Sequence, residues 1–515
     1  MIEYYLAGGL LRGMQVLIDA SVWIAFGCCI AAIFRNMLGA EKTRSLFGDN
    51  SRYGLFVGWG IGMLLPVCSL GVIPVLQELR RSGVKSKTII AFGLTAPLFN
   101  PLSILYGLSM SNPIAVIIFS AAAMMIVTAL GAIWGKWFDA GPSLSHASKE
   151  AEEISTSGIR RSLAVLHTAA TEMIGLSSVF IVIGILASTL ISVAFSHGSL
   201  SVSVEPDKLF APAFMATYVT PIYSTPLLTM SQIGSMFQHG NSVGAAFSLL
   251  ILGAGVNLGL LCWFAITLGF RRVMIFVALL MSLTIGLAYA MDKPLYPAGV
   301  TPAGHTHAFD IYTHPYHDNQ TGLLSTAAEE VGEYMQEKGT HGLKFLGGLV
   351  LLGIVFRMVE LRWDLSSWFK SREETSADWD IALPPWIIGL VACAGLVTLS
   401  VVGTFIYYPP PESLLDDYLS ASNANCVVAA NTSDWEGVEK WVPFCDDLSR
   451  RLEVGVFLRE GSVSEFKRAK AKAYREKLDE LRDNIAAGQT AGIRDQAMDL
   501  LHSYSQMSKA FRNLE

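Results

Sequence analysis

The hydrophobic pattern of the chain consists of long apolar blocks separated by polar stretches. Each block is almost free of charge over about 20 residues, the length that a helix needs to cross a hydrocarbon core of about 30 Å. A helix satisfies its own backbone groups where no water is available, so the blocks predict helical membrane spans. The ten predicted segments run at roughly 14–35, 55–79, 88–109, 112–136, 168–196, 209–237, 243–268, 273–291, 343–361 and 385–408.

Polar stretches divide these segments into groups. The linker DAGPSLSHASKEAEEISTSGIRR separates the first eight segments into two sets of four, and everything after Tyr408 has a soluble character. The predicted domains are a first transmembrane repeat (1–138), a cytoplasmic linker (139–167), a second transmembrane repeat (168–291), a histidine-rich external loop (292–342), two additional transmembrane helices (343–408) and a soluble helical tail (409–515).

Composition excludes a water-soluble fold. Of the 515 residues, 52% are hydrophobic and only 16% are charged, and the mean hydropathy is +0.44. Soluble domains carry about 25% charged residues, so this chain has more apolar surface than such a fold can bury. The net charge of −6 gives no sign of nucleic-acid binding. We therefore expect an all-α polytopic membrane protein of the bacterial inner membrane, with the lipid bilayer as its surroundings.

Basic residues predict which loops face the cytoplasm, because Lys and Arg in short loops are retained inside. Basic clusters at 35–52 and 80–87 flank segment 55–79 on both sides, and a single straight span would separate them. We therefore expect a re-entrant hairpin, broken by Pro66, Gly71 and Pro74, since proline interrupts a helix.

Segment 209–237 is flanked by loops nearly free of positive charge, so its hairpin is expected to enter from outside and to break around Pro221 and Pro226. The fold class is then about eight spanning helices plus two re-entrant broken-helix hairpins, with ten full spans as the alternative. The two sets of four segments also match each other at an offset of 155 residues, which predicts two inverted repeats. The matching positions are Pro66 and Pro221, Ser69 and Ser224, Gln77 and Gln232, and Ala91-Phe92 and Ala246-Phe247.

Residues 62–104 carry a recognisable motif, GMLLPVCSLGVIPVLQELRRSGVKSKTIIAFGLTAPLFNPLSI. It resembles the signature of a large family of predicted bacterial permeases that includes the organoarsenical efflux permeases. That family typically shows Pro-Val-Cys-Ser-Cys-Gly-Val-Ile-Pro, whereas Leu70 stands here in place of the second cysteine. Arsenic(III) is soft and prefers thiolate ligands, so the resemblance implies a permease more directly than it implies an organoarsenical substrate.

A substrate site is expected where the two broken helices converge, because secondary transporters place substrate near the midplane between interrupted helices. For each polar residue a structural role is the alternative: Cys68 as a small core residue, the hydroxyls as partners for freed carbonyls, and the asparagines as ties between helices. The candidate substrate-binding residues are Cys68, Ser69, Gly71, Asn100, Tyr223, Ser224, Thr225 and Asn257.

Two further groups of residues are candidates for ion chemistry. Glu172 is the one acid that we expect deep in a span of the repeats; it is a candidate coupling residue, or simply a favourable charge at a helix N-terminus. Imidazoles and carboxylates crowd the loop HTHAFDIYTHPYH and its flanks, and they suit zinc, nickel or copper(II), although a solvated loop has the same composition. The candidate metal ligands are His305, His307, His314 and His317.

The tail contains two segments with amphipathic periodicity, at 462–488 and 493–514, which predict two packed helices. Cys426 and Cys445 would be able to form a disulfide if the tail is external, and would stay as thiols in the cytoplasm. The spans contain no HExxH cluster or nucleophile–base pair, so an enzyme is not expected.

The sequence therefore predicts an inner-membrane permease without a cofactor, moving a small solute or ion by alternating access. A metal, a metalloid and an organoarsenical are the candidate solutes, and the sequence leaves open whether the chain forms a homo-oligomer. The alternative is a membrane-anchored sensor or assembly scaffold whose soluble tail is the working part.

Overall fold

A computed structural model shows a helical protein, with no strand among the residues that it describes. Two compact units divide the chain, residues 1–103 with 114–397 and residues 104–113 with 398–515. The described residues are 2–48, 54–65, 67–99, 101–110, 113–138, 159–196, 199–297, 308–317, 322–338, 340–363, 401, 404–405, 407–489 and 492–512.

The first four predicted segments form one long helix, two broken pairs and a second long helix. α1 continues through a π-helical turn, Phe34–Leu38, into α2, and each later interruption falls near proline, glycine or asparagine. The helices are α1 (Ile2–Ile33), α2 (Gly39–Leu46), α3 (Gly54–Leu64), α4 (Val72–Arg81), α5 (Ser86–Leu98), α6 (Pro101–Met110) and α7 (Pro113–Trp137).

The next four segments follow the same order of long, broken, broken and long. Adding the offset of 155 residues to the boundaries of α3 to α7 reproduces the corresponding boundaries of the second set within three residues. The helices are α8 (Ile159–Met173), α9 (Leu176–Ala194), α10 (Ala211–Val219), α11 (Pro226–Gln238), α12 (Val243–Ser248, continued by the π-helix Leu249–Ala254), α13 (Leu258–Leu268) and α14 (Phe270–Asp292).

Segments 88–109 and 243–268 were expected as single helices, and that expectation is wrong. The first divides into α5 and α6, and the second bends by 57° between residues 254 and 258. Asn257 explains the second break, because its side-chain Oδ1 accepts a hydrogen bond from the Leu260 amide at 3.0 Å and so begins α13. An N-cap of this kind satisfies a backbone donor that otherwise has no partner.

Five helices in the described part of the chain are long and apolar enough to cross a membrane, and a sixth span is added if the bent pair counts as one. A polytopic membrane protein is therefore confirmed. The number of spans and the inversion of the repeats stay predictions. The five are Ile2–Leu46, Ile114–Trp137, Leu176–Ala194, Phe270–Asp292 and His341–Glu360.

The predicted external loop is more structured than its composition suggested. Residues 308–317 form a compact segment containing one short 3₁₀ turn, and a helix of 16 residues follows. We refer to residues 308–317 as the tyrosine segment. The helices here are α15 (Leu323–Lys338) and α16 (His341–Glu360); the predicted segment 385–408 lies mostly outside the described residues.

The second unit has a hydrophobic core of its own. The two helices predicted for the tail are present, but two more helices precede them, so the expectation of two was too low. Cys426 and Cys445 are both free thiols buried in this core. After a short turn (Pro411–Ser413) and a π-helix (Leu414–Leu419), the helices are α17 (Ser420–Thr432), α18 (Trp435–Glu460), α19 (Glu465–Ala486) and α20 (Ile493–Phe511).

Candidate functional site

The first break lies between α3 and α4. The Gly71 amide donates a hydrogen bond to the Cys68 sulfur at 3.3 Å, which closes the turn that begins α4. The backbone here lies against α1 so closely that a Cβ on Gly71 would meet the carbonyl of Trp23. Cys68 and Ser69 are fully buried, and the Ser69 hydroxyl has no hydrogen-bond partner within the described part of the chain.

The second break lies between α10 and α11. Pro226 occupies the first position of α11, and the Thr225 hydroxyl accepts a hydrogen bond from the Leu228 amide at 3.2 Å. The Tyr223 amide, left without a helical acceptor, donates to the Ser188 hydroxyl of α9 at 2.7 Å. Ser224 shares a hydrogen bond of 2.8 Å with Thr229. The break is thus stabilised by hydroxyl groups, as an interrupted helix at membrane depth requires.

The two breaks approach each other. The Tyr223 hydroxyl lies close to the Cys68 thiol, and within the described part of the chain it has no hydrogen-bond partner of good geometry. Next to Cys68, Leu70 packs against Gly184 of α9, where an added Cβ would lie only 2.5 Å from the leucine side chain. That Cβ would also lie 2.8 Å from Oδ1 of Asn257. Gly184 therefore leaves space in which the first break and the start of α13 come together.

Asn257 offers an unused donor at this place. Its Oδ1 begins α13, while its buried Nδ2 has no partner in the described part of the structure. Ser69, Tyr223 and Asn257 thus present polar atoms of the kind that contact a solute, because a buried polar group without a partner costs free energy. Asn100, the remaining candidate, lies outside the described residues.

A narrow cleft opens beside the second break, on the side of Ser188. Its walls come from α1, α9, the second break and the tyrosine segment. Asp19, one of its members, lies inside predicted segment 14–35, so the expectation that Glu172 is the one deep acid is wrong. The lining residues are Val16, Asp19, Ser188, Ser192, Ile222, Tyr223, Ser224, Thr225, Leu228, Ile311 and Tyr312.

Glu172 belongs to a group of charged residues at the end of α8. It lies 3.6 Å from Arg35 and 3.4 Å from Arg81, and both arginines also approach Glu78, at 2.7 and 3.7 Å respectively. The hydroxyl of Ser177, in the first turn of α9, lies 2.7 Å from the Glu172 carboxylate. Glu78 is 5% exposed and was also missed, because it stands at the end of its predicted segment. Ion pairing gives Glu172 a structural role, and its coupling role stays a prediction.

The tyrosine segment contains two of the four histidines proposed as metal ligands. His314 is fully buried and stacks on Tyr4, with the two ring centroids 3.4 Å apart. Its Nδ1 lies 3.1 Å from the Tyr316 amide and its Nε2 lies 3.2 Å from the Tyr4 carbonyl. Within the described ranges, no three His, Cys, Asp or Glu side chains are grouped for a metal. His305 and His307 lie outside those ranges, so the metal site stays a prediction.

A family model described as "Predicted permease" (ArsP_1) matches residues 13–292, which is more than half of the 515 residues. The matched region begins in α1 and ends with α14, so it contains both breaks and Asp19. The chain belongs to this permease family. The family description and the apolar helices together make the chain a multi-pass bacterial membrane protein, and the family suggests a transporter rather than an enzyme.

Curated relatives match only part of this permease. The "UPF0718 protein YcgR" of Bacillus subtilis is 30% identical over 89 residues. The "Putative two-component membrane permease complex subunit" of Streptococcus mutans is 25% identical over 89 residues. Each alignment covers 17% of this chain and 30% of the relative. No solved structure matches the chain.

Proposed function

We propose that the protein moves a small solute across the membrane by alternating access around the place where the two breaks meet. The observation that carries the proposal is the approach of Cys68 in the first break to Tyr223 in the second. A site between two interrupted helices from two related halves fits the general plan of secondary transporters. No covalent step is involved, and movement of one half against the other would open the site to each side in turn.

The chemistry of the site favours neutral or soft solutes. Cys68, Ser69, Tyr223 and Asn257, with the nearby hydroxyls, provide one thiol and several neutral polar groups, and none of these four residues is a cation or an acid. A multiply charged solute would lose its hydration without gaining a counter-charge. Metals, metalloids and organoarsenicals are the thiophilic classes to be tested. Leu70 replaces the second family cysteine, so we expect arsenic(III) compounds to be held by one sulfur at most.

The experiment that tests this is a tolerance and uptake screen. The protein is expressed in a bacterial host that lacks its own exporters, and the host is exposed to metals, metalloids, organoarsenicals and neutral organic solutes. For any solute that responds, Cys68→Ala is compared with Cys262→Ala, a matched change at a half-buried cysteine within α13. We expect transport to fall in Cys68→Ala alone, at equal protein level and melting temperature.

Asn257 permits a sharper test of the unused donor. Asn257→Ser keeps an oxygen acceptor at the N-cap of α13, because serine caps helices about as well as asparagine, and it replaces the carboxamide with its Nδ2 donor by a shorter hydroxyl. We expect normal thermal stability with reduced transport, and the same loss of transport in Asn100→Leu. Full transport in all three site variants would show that the solute path lies elsewhere.

A further inference from the structure

Asp19 is an acid at membrane depth. It stands on α1 between the buried residues Ile18 and Ala20, within a helix apolar enough to span the membrane. An aspartate at the centre of a membrane helix is costly to insert, so such residues are rare. Such a residue marks an ion pathway or a proton relay more often than a structural tie. The cleft beside the second break supplies the setting for that role.

The walls of the cleft around Asp19 carry oxygen atoms. Ser188 and Ser192 of α9, together with Ser224 and Thr225 of the second break, line it. Hydroxyl and carboxylate oxygens are ligands for hard cations, whereas soft cations prefer sulfur. Asp19 is the one carboxylate among the lining residues, so the cleft balances a single positive charge.

Three tyrosines face the Asp19 carboxylate. The Tyr334 hydroxyl on α15 donates a hydrogen bond to Oδ1 at 2.8 Å. Tyr223 of the second break and Tyr312 of the tyrosine segment lie within electrostatic range of the same carboxylate. The Tyr334 hydroxyl is neutral at neutral pH, so its hydrogen bond orients the carboxylate without neutralising it. A change of charge at Asp19 therefore alters the electrostatic potential at the second break and at the tyrosine segment.

Tyr312 also connects the cleft to α11. Its hydroxyl donates to Oε1 of Gln232 at 3.0 Å, and its carbonyl accepts from Tyr218 at 2.6 Å. Arg12 holds the tyrosine segment in place by donating to the carbonyls of Thr313 and Asp310, at 2.9 and 2.6 Å. The arrangement gives a chain of contacts from the carboxylate to the helix that follows the second break.

We propose that Asp19 binds one monovalent cation, a proton or a sodium ion, and that this cation is the coupling ion of transport. The inference rests on the proposed permease function and assigns the energy coupling that Glu172 does not explain. Cation arrival neutralises the carboxylate, so the hydroxyls of the second break lose the negative charge that they face. The positions of Tyr223 and Tyr312 then depend on cation occupancy, which links the cation to the solute site.

The test uses the purified full chain and needs no identified solute. Binding of ²²Na⁺ is measured by scintillation proximity, and protonated carboxyl groups are followed by infrared spectroscopy across pH. Wild type is compared with Asp19→Asn and with Glu3→Gln, a control at an exposed acid in the first turn of the same helix. For a sodium ion, we expect saturable ²²Na⁺ binding that Asp19→Asn weakens by at least about tenfold, a loss of about 1.4 kcal/mol, and that Glu3→Gln retains.

For a proton, we expect no specific ²²Na⁺ binding. Instead, one carboxyl band titrates in wild type and Glu3→Gln and is missing in Asp19→Asn. If both signals of Asp19→Asn equal those of wild type, the proposal is overturned. Should Asp19→Asn fail to fold, Asp19→Glu keeps the charge and moves it by one methylene; an unchanged sodium affinity and an unchanged carboxyl band in that variant also overturn it.

These outcomes are independent of the permease proposal. A solute screen without any response, together with an intact Asp19 signal, counts against the permease and leaves the cation site standing. Solute transport that persists while Asp19→Asn keeps both wild-type signals counts against the cation site alone.

Discussion

The cluster of Glu172, Glu78, Arg35 and Arg81 has two acids and two bases, and each arginine is shared between both acids. Arg35 and Arg81 each approach both Glu78 and Glu172, so removing one carboxylate leaves two guanidinium groups on the other. Arg35 is 29% and Arg81 46% exposed in their side chains, and water screens part of the loss. The cluster therefore resembles a partly buried ion network, whose disruption destabilises more than that of a surface pair.

Glu172→Gln tests this assignment. We expect the variant to unfold at a lower temperature, with a loss of about 1–2 kcal/mol, and to keep its transport activity. The measurement is thermal unfolding of the purified protein by intrinsic fluorescence. Glu41→Gln, at an exposed acid of α2, is the matched control and should be neutral. An unchanged melting temperature combined with lost transport would instead return Glu172 to the role of coupling residue.

The two tail thiols give a prediction for alkaline pH. Burial raises the pKa of Cys426 from 9.0 to about 12 and raises that of Cys445 further, with the nearby Cys426 adding to the rise. The folded tail therefore favours neutral thiols. Their contribution to stability is fully present below pH 9, the value expected for the unfolded chain, and is lost as the pH rises from 9 toward 12.

We expect the tail to lose hydrogen-exchange protection in that pH window. In Cys426→Ser, the loss of protection between pH 9 and 12 should be smaller than in wild type. In native protein near pH 8, only about 10⁻⁴ of Cys426 would be thiolate, so both sites should resist thiol reagents. Denaturation without reductant should then expose two free thiols. Two thiols that react only after reduction would show that the pair forms a disulfide in cells.

At the scale of elements, the contact between α1 and the first break depends on Gly27 of α1 and Gly71 of the break. A Cβ on Gly27 would collide with the Gly71 carbonyl, and this carbonyl belongs to the turn that begins α4. By contrast, a Cβ on Gly60 of α3 would meet nothing within 4 Å. Gly27 is thus tightly packed and Gly60 is not, although both lie in helices.

We expect Gly27→Ala to destabilise by about 1–3 kcal/mol, because α1 must move away from the break. Gly60→Ala should be neutral or stabilising by up to about 1 kcal/mol, since alanine favours a helix. Both are measured as shifts in melting temperature of purified protein. Equal shifts in the two variants would mean that α1 and the first break do not pack as closely as described.

The re-entrant topology makes a prediction about accessibility. α3 has 11 residues and α4 has 10, so each is about 15–17 Å long, roughly half of a hydrocarbon core. Single cysteines at Asp49 and Ser86, in a background without reactive thiols, should both be protected from an impermeant external thiol reagent. If external reagent labels the Ser86 site alone, segment 55–79 is a full span and the inverted hairpins are ruled out.

Whether the sequence predicts a helix break depends on the residue that causes it. Proline removes a backbone donor, so the breaks near Pro66 and Pro226 were predictable. The break at Asn257 was not, because its signal is an N-cap between glycines in an apolar run, where Asn also serves to tie helices. The sequence does contain the cue, since an asparagine followed by a helix former is a common way to begin a helix.

The missed acids show a different limit. Asp19 has an apolar neighbourhood in sequence and a polar one in space, because its cleft is assembled from α9, the second break and a segment about 290 residues later. Periodicity along one helix carries no information about such partners. His314 shows the same limit: composition suggested a metal ligand, and the stacking of this buried ring on Tyr4 could not be read from the sequence.

At the scale of the molecule, the division into two units allows the permease hypothesis to be distinguished from the sensor or scaffold hypothesis. The family match ends at residue 292, and both breaks, Asp19 and the tyrosine segment lie in the first unit. The second unit has its own core, including a buried ion pair of 2.6 Å between Arg475 and Glu453. A sensor or scaffold would need residues 398–515 of that unit for its function, whereas a permease of the matched family would not.

We therefore expect a chain ended after Trp363 to keep most of its solute transport, because α1 to α16 retain every residue placed at the solute site. A second chain ended after Asp292 should lose transport, since it lacks the tyrosine segment that Arg12 holds and that Tyr312 joins to Gln232. Transport is measured as uptake per molecule in the membrane, with protein level and melting temperature as controls. If the chain ended after Trp363 is stable but inactive, residues 364–515 contain a working part, which favours the scaffold or sensor over a permease that needs only the family-matched region.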